Sequence, residues 1–323
     1  MFIDKFRKLI KEFFSKQQLF NQAEAKEEEL TLMKQKLENL NAELAMYKTW
    51  VPPGHYYSPI PDINQIKTKE GQIFNKNRDI LAVEMNDKEQ ISFFEQVKKF
   101  YGELEYQPQK IPNLRYYYGA DNDQYSYSDA ICLYSMIRHL EPKRIVEIGS
   151  GYSSCVTLDT NERFFDNNIF CTFIDPYPGD RFLKLIKDGD LKKNVLIQKN
   201  LQDVDLEIFS CLESGDVLFV DSTHVSKTDS DVNHIFFEIL PRLKSGVCIH
   251  FHDIPYPFEY PEEWVYEGRA WNEVYMLRAF LQYNAKFRIV FFNTYFCKMY
   301  RQMVMNFAPG LMHLGASIWL RKE

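Results

Sequence analysis

Short apolar runs recur along residues 144–320, and helical stretches separate most of them. The helical patterns lie near residues 153–163, 180–189, 203–212, 229–243 and 268–283. Such alternation predicts the α/β class, with a seven-stranded, doubly wound, mostly parallel sheet and helices on both faces. Because residues 293–315 lack a long crossover helix, we expect the last strand to run antiparallel at the sheet edge. The predicted strands cover residues 144–148, 169–174, 195–198, 216–220, 246–251, 287–292 and 316–320.

Size and composition limit the possible functions. The 323 residues, 45% of them hydrophobic, suffice for one catalytic domain and a smaller extension. A formal net charge of −6 argues against the basic surface that nucleic acid requires, so we expect no nucleic-acid partner. Six scattered cysteines without a C-x-x-C pair are typical of a reducing compartment. With no signal peptide and no run of about 18 apolar residues, the sequence predicts a soluble, cytoplasmic protein.

The N-terminal residues predict a helical extension with two patterns. Residues 2–20 place phenylalanine and aliphatic side chains at helical spacing among five basic residues. Packing on the body or on a partner is favoured over a peripheral membrane contact, since such stripes are usually buried. From Ala23 to Tyr47 an a/d seam predicts either a short coiled coil that sets an oligomeric state or a helix docked on its own domain. The seam consists of Met33, Leu37, Leu40, Leu44 and Tyr47.

These patterns divide the chain into three parts. Residues 1–50 form the amphipathic helix and short coiled coil, which Val51-Pro52-Pro53-Gly54 ends. Residues 51–110 form a linker and cap segment, whose aromatic stretch at 54–62 either packs on the surface or covers the mouth of a site. Residues 111–323 form the α/β domain, which begins with a helix that Ser128 or Asp129 could cap.

The first predicted strand ends in a glycine-rich turn, and in a doubly wound sheet ligands bind at strand ends near the point where the strand order reverses. Two glycines allow a tight turn and let a ligand approach the backbone. A dinucleotide site would require glycine where Ser154 stands, and Glu147 suits a ligand with a cationic amino group better than a pyrophosphate. We expect this turn to bind a cofactor through Glu147, Gly149, Ser150, Gly151 and Tyr152.

The next two strand ends indicate a nucleoside. Asp175 follows the second strand, where an acid can accept hydrogen bonds from both ribose hydroxyls. Gln202 and Asp203 follow the third strand and could meet an adenine edge, although Asp203 could equally cap the next helix.

The fourth and fifth strand ends carry the residues best suited to catalysis. If these strands are neighbours, Asp221 and Asp253 converge at one edge of the sheet, with His224 and His252 close by. Two carboxylates could hold a divalent metal ion, and a histidine could accept a hydroxyl proton. The alternative is that Asp221 only contacts the cofactor while His250 or His252 is a hydrogen-bonded core residue. The aromatic loop at 254–264 lies where an acceptor would enter, or it is a packed surface loop.

The ordered set of strand-end motifs resembles the class I, Rossmann-like methyltransferases that depend on S-adenosylmethionine. Within them the chain is similar to the bacterial group related to cephalosporin hydroxylases and sugar O-methyltransferases. The resemblance covers about residues 111–323 and rests on Arg144 to Gly151, Asp175, Asp216 to His224, and Leu240 to Gly246 leading into His252-Asp253. It implies an S-adenosylmethionine site at the first turn and Asp175. It also implies that Asp221 and Asp253 occupy positions where some relatives bind magnesium, although His252 stands where metal-dependent relatives commonly have an acid.

The sequence therefore predicts transfer of a methyl group to a hydroxyl of a sugar, glycan or related small molecule, in polysaccharide biosynthesis. The proposed base is His224 or His252, and Asp221 with Asp253 orients it or holds a metal such as Mg²⁺. Two alternatives are an NAD-dependent oxidoreductase and a non-catalytic scaffold that uses the N-terminal helix. The possible partners are the acceptor, a second copy of the chain and a membrane surface.

Overall fold

The computed structural model describes the chain except for residues 47, 48, 180 and 314, and it leaves the side chains of residues 4, 19, 45 and 46 undescribed. The chain forms two compact units, Met1–Asp62 and Ile63–Glu323. Within the first unit, helix α1 spans Phe2–Met46 without a break, so the predicted helical extension is confirmed. Tyr47, the last predicted seam residue, lies outside the described residues. No helix in the described part of the chain is long and apolar enough to cross a membrane.

The second unit contains the predicted mixed sheet. Among the described residues seven strands pair in the order β3-β2-β1-β4-β5-β7-β6. Strands β1 to β5 are parallel, whereas β7 runs antiparallel to both β5 and β6. The strands are β1 (Arg144–Ile148), β2 (Phe170–Ile174), β3 (Val195–Ile197), β4 (Val217–Val220), β5 (Cys248–His252), β6 (Phe287–Phe292) and β7 (Ser317–Lys322).

The last strand is antiparallel as expected, but its predicted place at the edge is wrong. Strand β7 lies between β5 and β6, and its residues Ser317 to Leu320 are fully buried, as an interior strand requires. Strand β6 forms this edge of the sheet. Two side chains hydrogen-bond backbone groups of β6. Asn86 donates its amide to the carbonyl of Ile289 at 3.2 Å, and Gln90 accepts from the amide of Phe292 at 2.9 Å.

Alternating side chains of the strands enter two cores on opposite faces of the sheet. Phe219 packs in the core that contains the residue 127–140 helix, whereas Leu218 and Val220 pack in the core on the other face. Burying each such side chain contributes about 1.5–3 kcal/mol. The two-sided burial explains why the parallel strands read as continuous apolar runs.

Helices cover both faces and connect the strands. They are α2 (Ile63–Lys67), α3 (Glu70–Ile73), α4 (Asp87–Val97), α5 (Tyr127–Leu140), α6 (Tyr152–Phe164), α7 (Phe182–Leu185), α8 (Glu207–Ser210), α9 (Asp231–His234), α10 (Leu240–Arg242), α11 (Glu262–Tyr266), α12 (Glu273–Leu281), α13 (Asn293–Met299) and α14 (Arg301–Phe307). A π-helical segment, Ile235–Ile239, joins α9 to α10, and 3₁₀ turns cover Lys98–Glu103, Asp190–Lys192, Leu201–Asp203 and Pro309–Met312.

Local structure differs from the sequence predictions at three places. Ser126, rather than Ser128 or Asp129, caps α5, because its hydroxyl accepts a hydrogen bond from the amide of Asp129 at 3.1 Å. The predicted helix at 180–189 shortens to α7, since the chain turns extended at Ile186 and left-handed at Gly189. The predicted helix at 203–212 shortens to α8, which has Leu206 at its N-cap, so Asp203 does not cap it.

The strand order reverses at β1, and this reversal positions the candidate site. Ile148 pairs with Val220, and the amide of Asp221 donates to the carbonyl of Ile148 at 2.9 Å. Val220 in turn pairs with Phe251. The residues that follow β1, β4 and β5 therefore meet at one edge, where doubly wound folds bind their ligands.

Candidate active site

The turn after β1 is fixed by close backbone contact with the end of β4. Gly149 adopts a left-handed φ of +78°, and its amide donates to the carbonyl of Ile174 at 2.9 Å. A Cβ atom at this position would lie 2.1 Å from the carbonyl oxygen of Asp221. Only glycine fits both the conformation and the space.

The turn and the second strand end are brought together as the sequence predicts. Asp175 accepts hydrogen bonds through Oδ2 from the hydroxyl of Ser150 at 2.9 Å and from its amide at 3.2 Å. Its Oδ1 accepts from the amide of Tyr177 at 2.7 Å. A carboxylate offers about four lone-pair sites, so Asp175, which is partly exposed, retains acceptor capacity toward a ribose.

Residues 151 and 152 begin α6. The amide of Gly151 donates to the hydroxyl of Ser154 at 3.0 Å. Tyr152 is buried, and its hydroxyl donates to the carbonyl of Asp121 at 2.9 Å. Its ring meets that of Tyr117 edge-on at 5.6 Å. These contacts tie the turn to the aromatic loop that precedes α5.

Glu147 lies beneath the turn. Its side chain is 0% exposed, and Oε1 accepts from the hydroxyls of Ser153 at 2.6 Å and Ser154 at 2.8 Å. Burial raises the pKa of Glu147 to about 8. Oε2 is buried and has no hydrogen-bond partner within the described part of the chain. The carboxylate therefore supports the turn from below, and the cofactor-binding role predicted for it stays a prediction.

The two candidates after β3 face different surroundings. Gln202 donates its side-chain amide to the carbonyl of Asp229, in the loop before α9, and Asp203 is exposed. The structure thus gives Gln202 a partner on the β4–α9 connection rather than at Asp175.

The candidate catalytic residues form one cluster. Nε2 of His224 lies 3.5 Å from Oδ1 of Asp221 and 3.5 Å from Oδ2 of Asp253. Nδ1 of His252 lies 3.5 Å from Oδ1 of Asp221 and 3.6 Å from Oδ1 of Asp253. The side chains of Asp221 and Asp253 are 31% and 19% exposed, whereas both histidines are buried. The two carboxylates are thus the members of the cluster open to solvent.

A buried carboxylate that sequence reasoning missed holds His224 from behind. Nδ1 of His224 lies 2.8 Å from Oε2 of Glu273, the first residue of α12. The hydroxyl of Ser222 donates to Oε1 of Glu273 at 2.9 Å. The amides of Asn272 and Glu273 both donate to the carbonyl of His224, at 3.0 and 3.1 Å. The sequence signal for it was an acid at the start of a mostly apolar helix.

Asp129 of α5 was likewise missed as a site residue. Its Oδ2 lies 3.5 Å from Nε2 of His252, and its Oδ1 accepts from the amide of Asn293 at 3.0 Å. Both ring nitrogens of His252 are buried, and neither makes a hydrogen bond to a described residue. His252 therefore stands between Asp129 on the inside and the exposed carboxylates on the outside.

Mutual charge shifts the protonation of the cluster. Burial by itself lowers the pKa of His224, but Asp221 and Glu273 raise it to about 10. Burial raises the pKa of Asp221, yet the positive charges of His252 and His224 bring it well below its usual range. Burial raises the pKa of Asp253 despite the opposing effect of the two histidines. At neutral pH the protonated imidazole of His224 therefore lies beside the ionised carboxylate of Asp221.

Three groups of the cluster have the geometry of a cation site. One ligand atom each from Asp221, His252 and Asp253 lie within 4.8 Å of one another. The partnerless Nδ1 of His252 adds a nitrogen donor to the two predicted carboxylates. Carboxylates suit Mg²⁺ and Mn²⁺, and an imidazole shifts the preference toward transition metals.

Aromatic side chains line the approach to His224. Its ring lies 4.4 Å from that of Trp271, which meets Trp264 at 5.4 Å. The guanidinium of Arg269 lies over both indoles, 4.7 Å from Trp264 and 5.1 Å from Trp271. Trp264 and Trp271 are only partly buried. Trp264 ends the predicted 254–264 loop, in which Phe258 and Tyr260 are buried, and Trp271 lies after it.

Comparison with known proteins assigns the chain to a family. A family model described as "Methyltransferase domain" matches residues 146–254. An uncharacterized protein from Archaeoglobus fulgidus is 36% identical over 168 residues, which are 51% of this chain and 74% of that protein. Residues 146–254 therefore match a methyltransferase domain, the class of domain that the sequence motifs predicted.

Two solved structures show more distant likenesses. An apo form of CmcI is 17% identical, with a TM-score of 0.38 over 60% of this chain and 70% of that chain. The O-methyltransferase TomG from Streptomyces achromogenes, involved in tomaymycin synthesis and solved with S-adenosylmethionine, is 14% identical. Its TM-score is 0.38 over 81% of this chain and 99% of that chain.

Proposed function

We propose that the protein methylates a hydroxyl oxygen of a sugar, a glycan or a related small molecule. The observation that carries the proposal is the convergence, at one sheet edge, of the Gly149 turn with Asp221 and Asp253. Carboxylates can accept hydrogen bonds from several acceptor hydroxyls, and the indole faces of Trp264 and Trp271 fit the apolar face of a sugar ring.

S-adenosylmethionine bound there would supply an electrophilic methyl group. A lone pair of the acceptor oxygen would form the new C–O bond, and the electrons of the broken S–C bond would stay on sulfur, which leaves as a neutral thioether. Asp175 and the Gly149–Tyr152 turn hold the nucleoside, and Glu147 supports the turn. The exposed carboxylates Asp221 and Asp253 orient the acceptor hydroxyl. Its proton passes to the carboxylate of Asp253, whose pKa burial raises, while Glu273 holds the imidazolium of His224 beside it. Positioning and proton removal together supply the rate enhancement, of which proton removal contributes about 10²- to 10⁴-fold.

We propose further that Asp221, Asp253 and His252 hold a divalent cation. A cation there would polarise the acceptor hydroxyl and favour its ionisation. Titration calorimetry with Mn²⁺ and with Mg²⁺ tests this without any substrate. A cation that binds the wild type but not Asp253→Asn supports the site. The absence of a binding signal with both ions overturns it.

The acceptor is identified by transfer of a labelled methyl group to nucleotide sugars and lipid-linked glycans. Label in a sugar hydroxyl, lost in Asp253→Asn and retained in the exposed control Asp188→Asn, is the expected result. Label only on nitrogen, or only on acceptors without a sugar, would overturn the proposed acceptor class while leaving the methyltransferase intact.

A further inference from the structure

Helix α1 carries two exposed apolar faces that the methyltransferase reaction does not use. The first, here called the aromatic stripe, has side chains 42–89% exposed. The second, here called the leucine seam, has side chains 49–65% exposed. The aromatic stripe consists of Phe2, Phe6, Leu9, Ile10, Phe13 and Phe14, and the leucine seam consists of Leu30, Met33, Leu37, Leu40 and Leu44.

The two faces point in nearly opposite directions. At 3.6 residues per turn each residue advances about 100°, which places the aromatic stripe within an arc of about 140° and the leucine seam within about 80°. The centres of the two arcs are roughly 170° apart around the unbroken Phe2–Met46 helix. A single partner that lies along one side of α1 therefore cannot cover both.

The leucine seam has the spacing of a coiled coil. The aromatic stripe lies on a different side of the helix. Leu30, Met33, Leu37, Leu40 and Leu44 follow steps of three and four, as a and d positions do. A second helix on that seam leaves the aromatic stripe facing away from it. The aromatic stripe needs an occupant of its own.

Charge identifies the chemistry of that occupant. Residues 2–20 contain five basic and two acidic residues, although the whole chain has a formal charge of −6. Arg7 flanks one border of the aromatic stripe, and Lys5 and Lys16 flank the other, by the same helical geometry. Long basic side chains at the borders of an aromatic face can reach anionic headgroups while the rings enter the acyl boundary.

We propose that the aromatic stripe lies in the surface of an anionic lipid membrane, with residues 2–20 parallel to the bilayer plane. No described helix can span the bilayer, so the attachment is peripheral. Basic residues near an anionic surface each contribute attraction that salt screens. Binding should therefore depend on both the apolar rings and the lipid charge.

Vesicle flotation of the full chain tests the proposal. Vesicles of phosphatidylcholine with phosphatidylglycerol are compared with vesicles of phosphatidylcholine alone, for the wild type and two double variants. Phe6→Gln with Phe13→Gln alters the aromatic stripe, and Leu37→Gln with Leu44→Gln is the matched control on the leucine seam. Both exchanges are uncharged and use a good helix former. Retained S-adenosylhomocysteine binding shows that the Ile63–Glu323 unit is intact.

The wild type is expected to bind anionic vesicles at least about tenfold more tightly than neutral ones, and the aromatic-stripe variant to lose about tenfold or more. The leucine-seam variant should retain binding within about threefold. Equal binding to both vesicle types, or unchanged binding of the aromatic-stripe variant, would overturn the proposal. So would absence of vesicle binding together with a change in sedimenting mass of the aromatic-stripe variant, which would assign the stripe to a protein partner.

Discussion

Nδ1 of His224 lies 2.8 Å from Oε2 of Glu273, a carboxylate only 1% exposed. Forty-nine residues separate the two in sequence. The contact fixes which ring nitrogen of His224 faces inward and therefore directs Nε2 toward Asp221 and Asp253. In the proposed mechanism Glu273 is a positioning residue, since it acts on the acceptor only through His224.

Replacing Glu273 should separate catalysis from cofactor binding. Glu273→Gln keeps an acceptor for His224 but removes the charge, so we expect kcat to fall by about 10- to 100-fold. Calorimetry should show S-adenosylhomocysteine affinity unchanged within about threefold, because Glu273 does not touch the Gly149 turn. Glu263→Gln, on an exposed carboxylate, is the control for the loss of a charge. A parallel loss of affinity and kcat would instead indicate general damage to the fold.

Glu147 should make the free energy of unfolding fall as pH rises. Its pKa is raised from 4.5 to about 8 in the folded chain, so between these values the unfolded state releases a proton that the folded state keeps. This penalises folding by up to about 1.4 kcal/mol per pH unit. Glu147→Gln removes the titration, and urea unfolding should show it gaining stability over the wild type from pH 5 to pH 8. A constant difference between the two across that range would refute the assignment.

The ion pair between Arg115 and Asp159 should be essential to the fold. Nη1 of Arg115 lies 2.8 Å from Oδ1 of Asp159, with side chains 3% and 1% exposed, and its Nε donates to Asp190 at 2.8 Å. Asp159→Ala removes one of three carboxylates that contact Arg115 and leaves the buried backbone amides of Arg115 and Tyr116 without their acceptor, so urea unfolding should show a loss of about 3–5 kcal/mol. Glu238→Ala, which breaks the exposed pair with Arg242, should cost less than about 1 kcal/mol. Similar losses in both variants would contradict this ranking.

Gly149 should tolerate no side chain. Gly149→Ala places a Cβ 2.1 Å from the carbonyl of Asp221 in a left-handed conformation, which alone costs about 1–2 kcal/mol. The turn must shift, so S-adenosylhomocysteine affinity should fall by at least about tenfold. The matched control is Gly71→Ala, where an added Cβ meets nothing within 4 Å. If calorimetry finds equal S-adenosylhomocysteine affinity in both variants, the turn is not part of the cofactor site.

Much of the sheet could be predicted from sequence because buried parallel strands read as apolar runs that end in polar residues. The Arg144–Ile148 strand and the residues after it carry both signals. The position of β7 between β5 and β6 depends on antiparallel pairing between distant segments, and a single segment does not encode its neighbour. The predicted helix at 180–189 ends early at Leu185, where the chain becomes extended at Ile186. Asp190, just after that stretch, contacts Arg115 from a distant loop, and such a contact cannot be read from the local pattern.

Some residues of the candidate site could also be predicted from sequence, and others could not. Asp175, Asp221, His252 and Asp253 could be predicted because strand ends gather at one edge of a doubly wound sheet. Glu273 and Asp129 could not, since each lies on a helix whose approach to the cluster is set by packing. Burial of Glu147 under the turn also depends on packing, through Ser153 and Ser154.

The most direct test of the account is calorimetric titration of the wild type and of Asp175→Ala with S-adenosylhomocysteine, alongside NADH. We predict that the wild type binds S-adenosylhomocysteine and not NADH, and that Asp175→Ala binds it at least about tenfold more weakly, because the ribose loses its acceptor. Binding of NADH, or no binding of S-adenosylhomocysteine by a folded wild-type chain, would contradict the account.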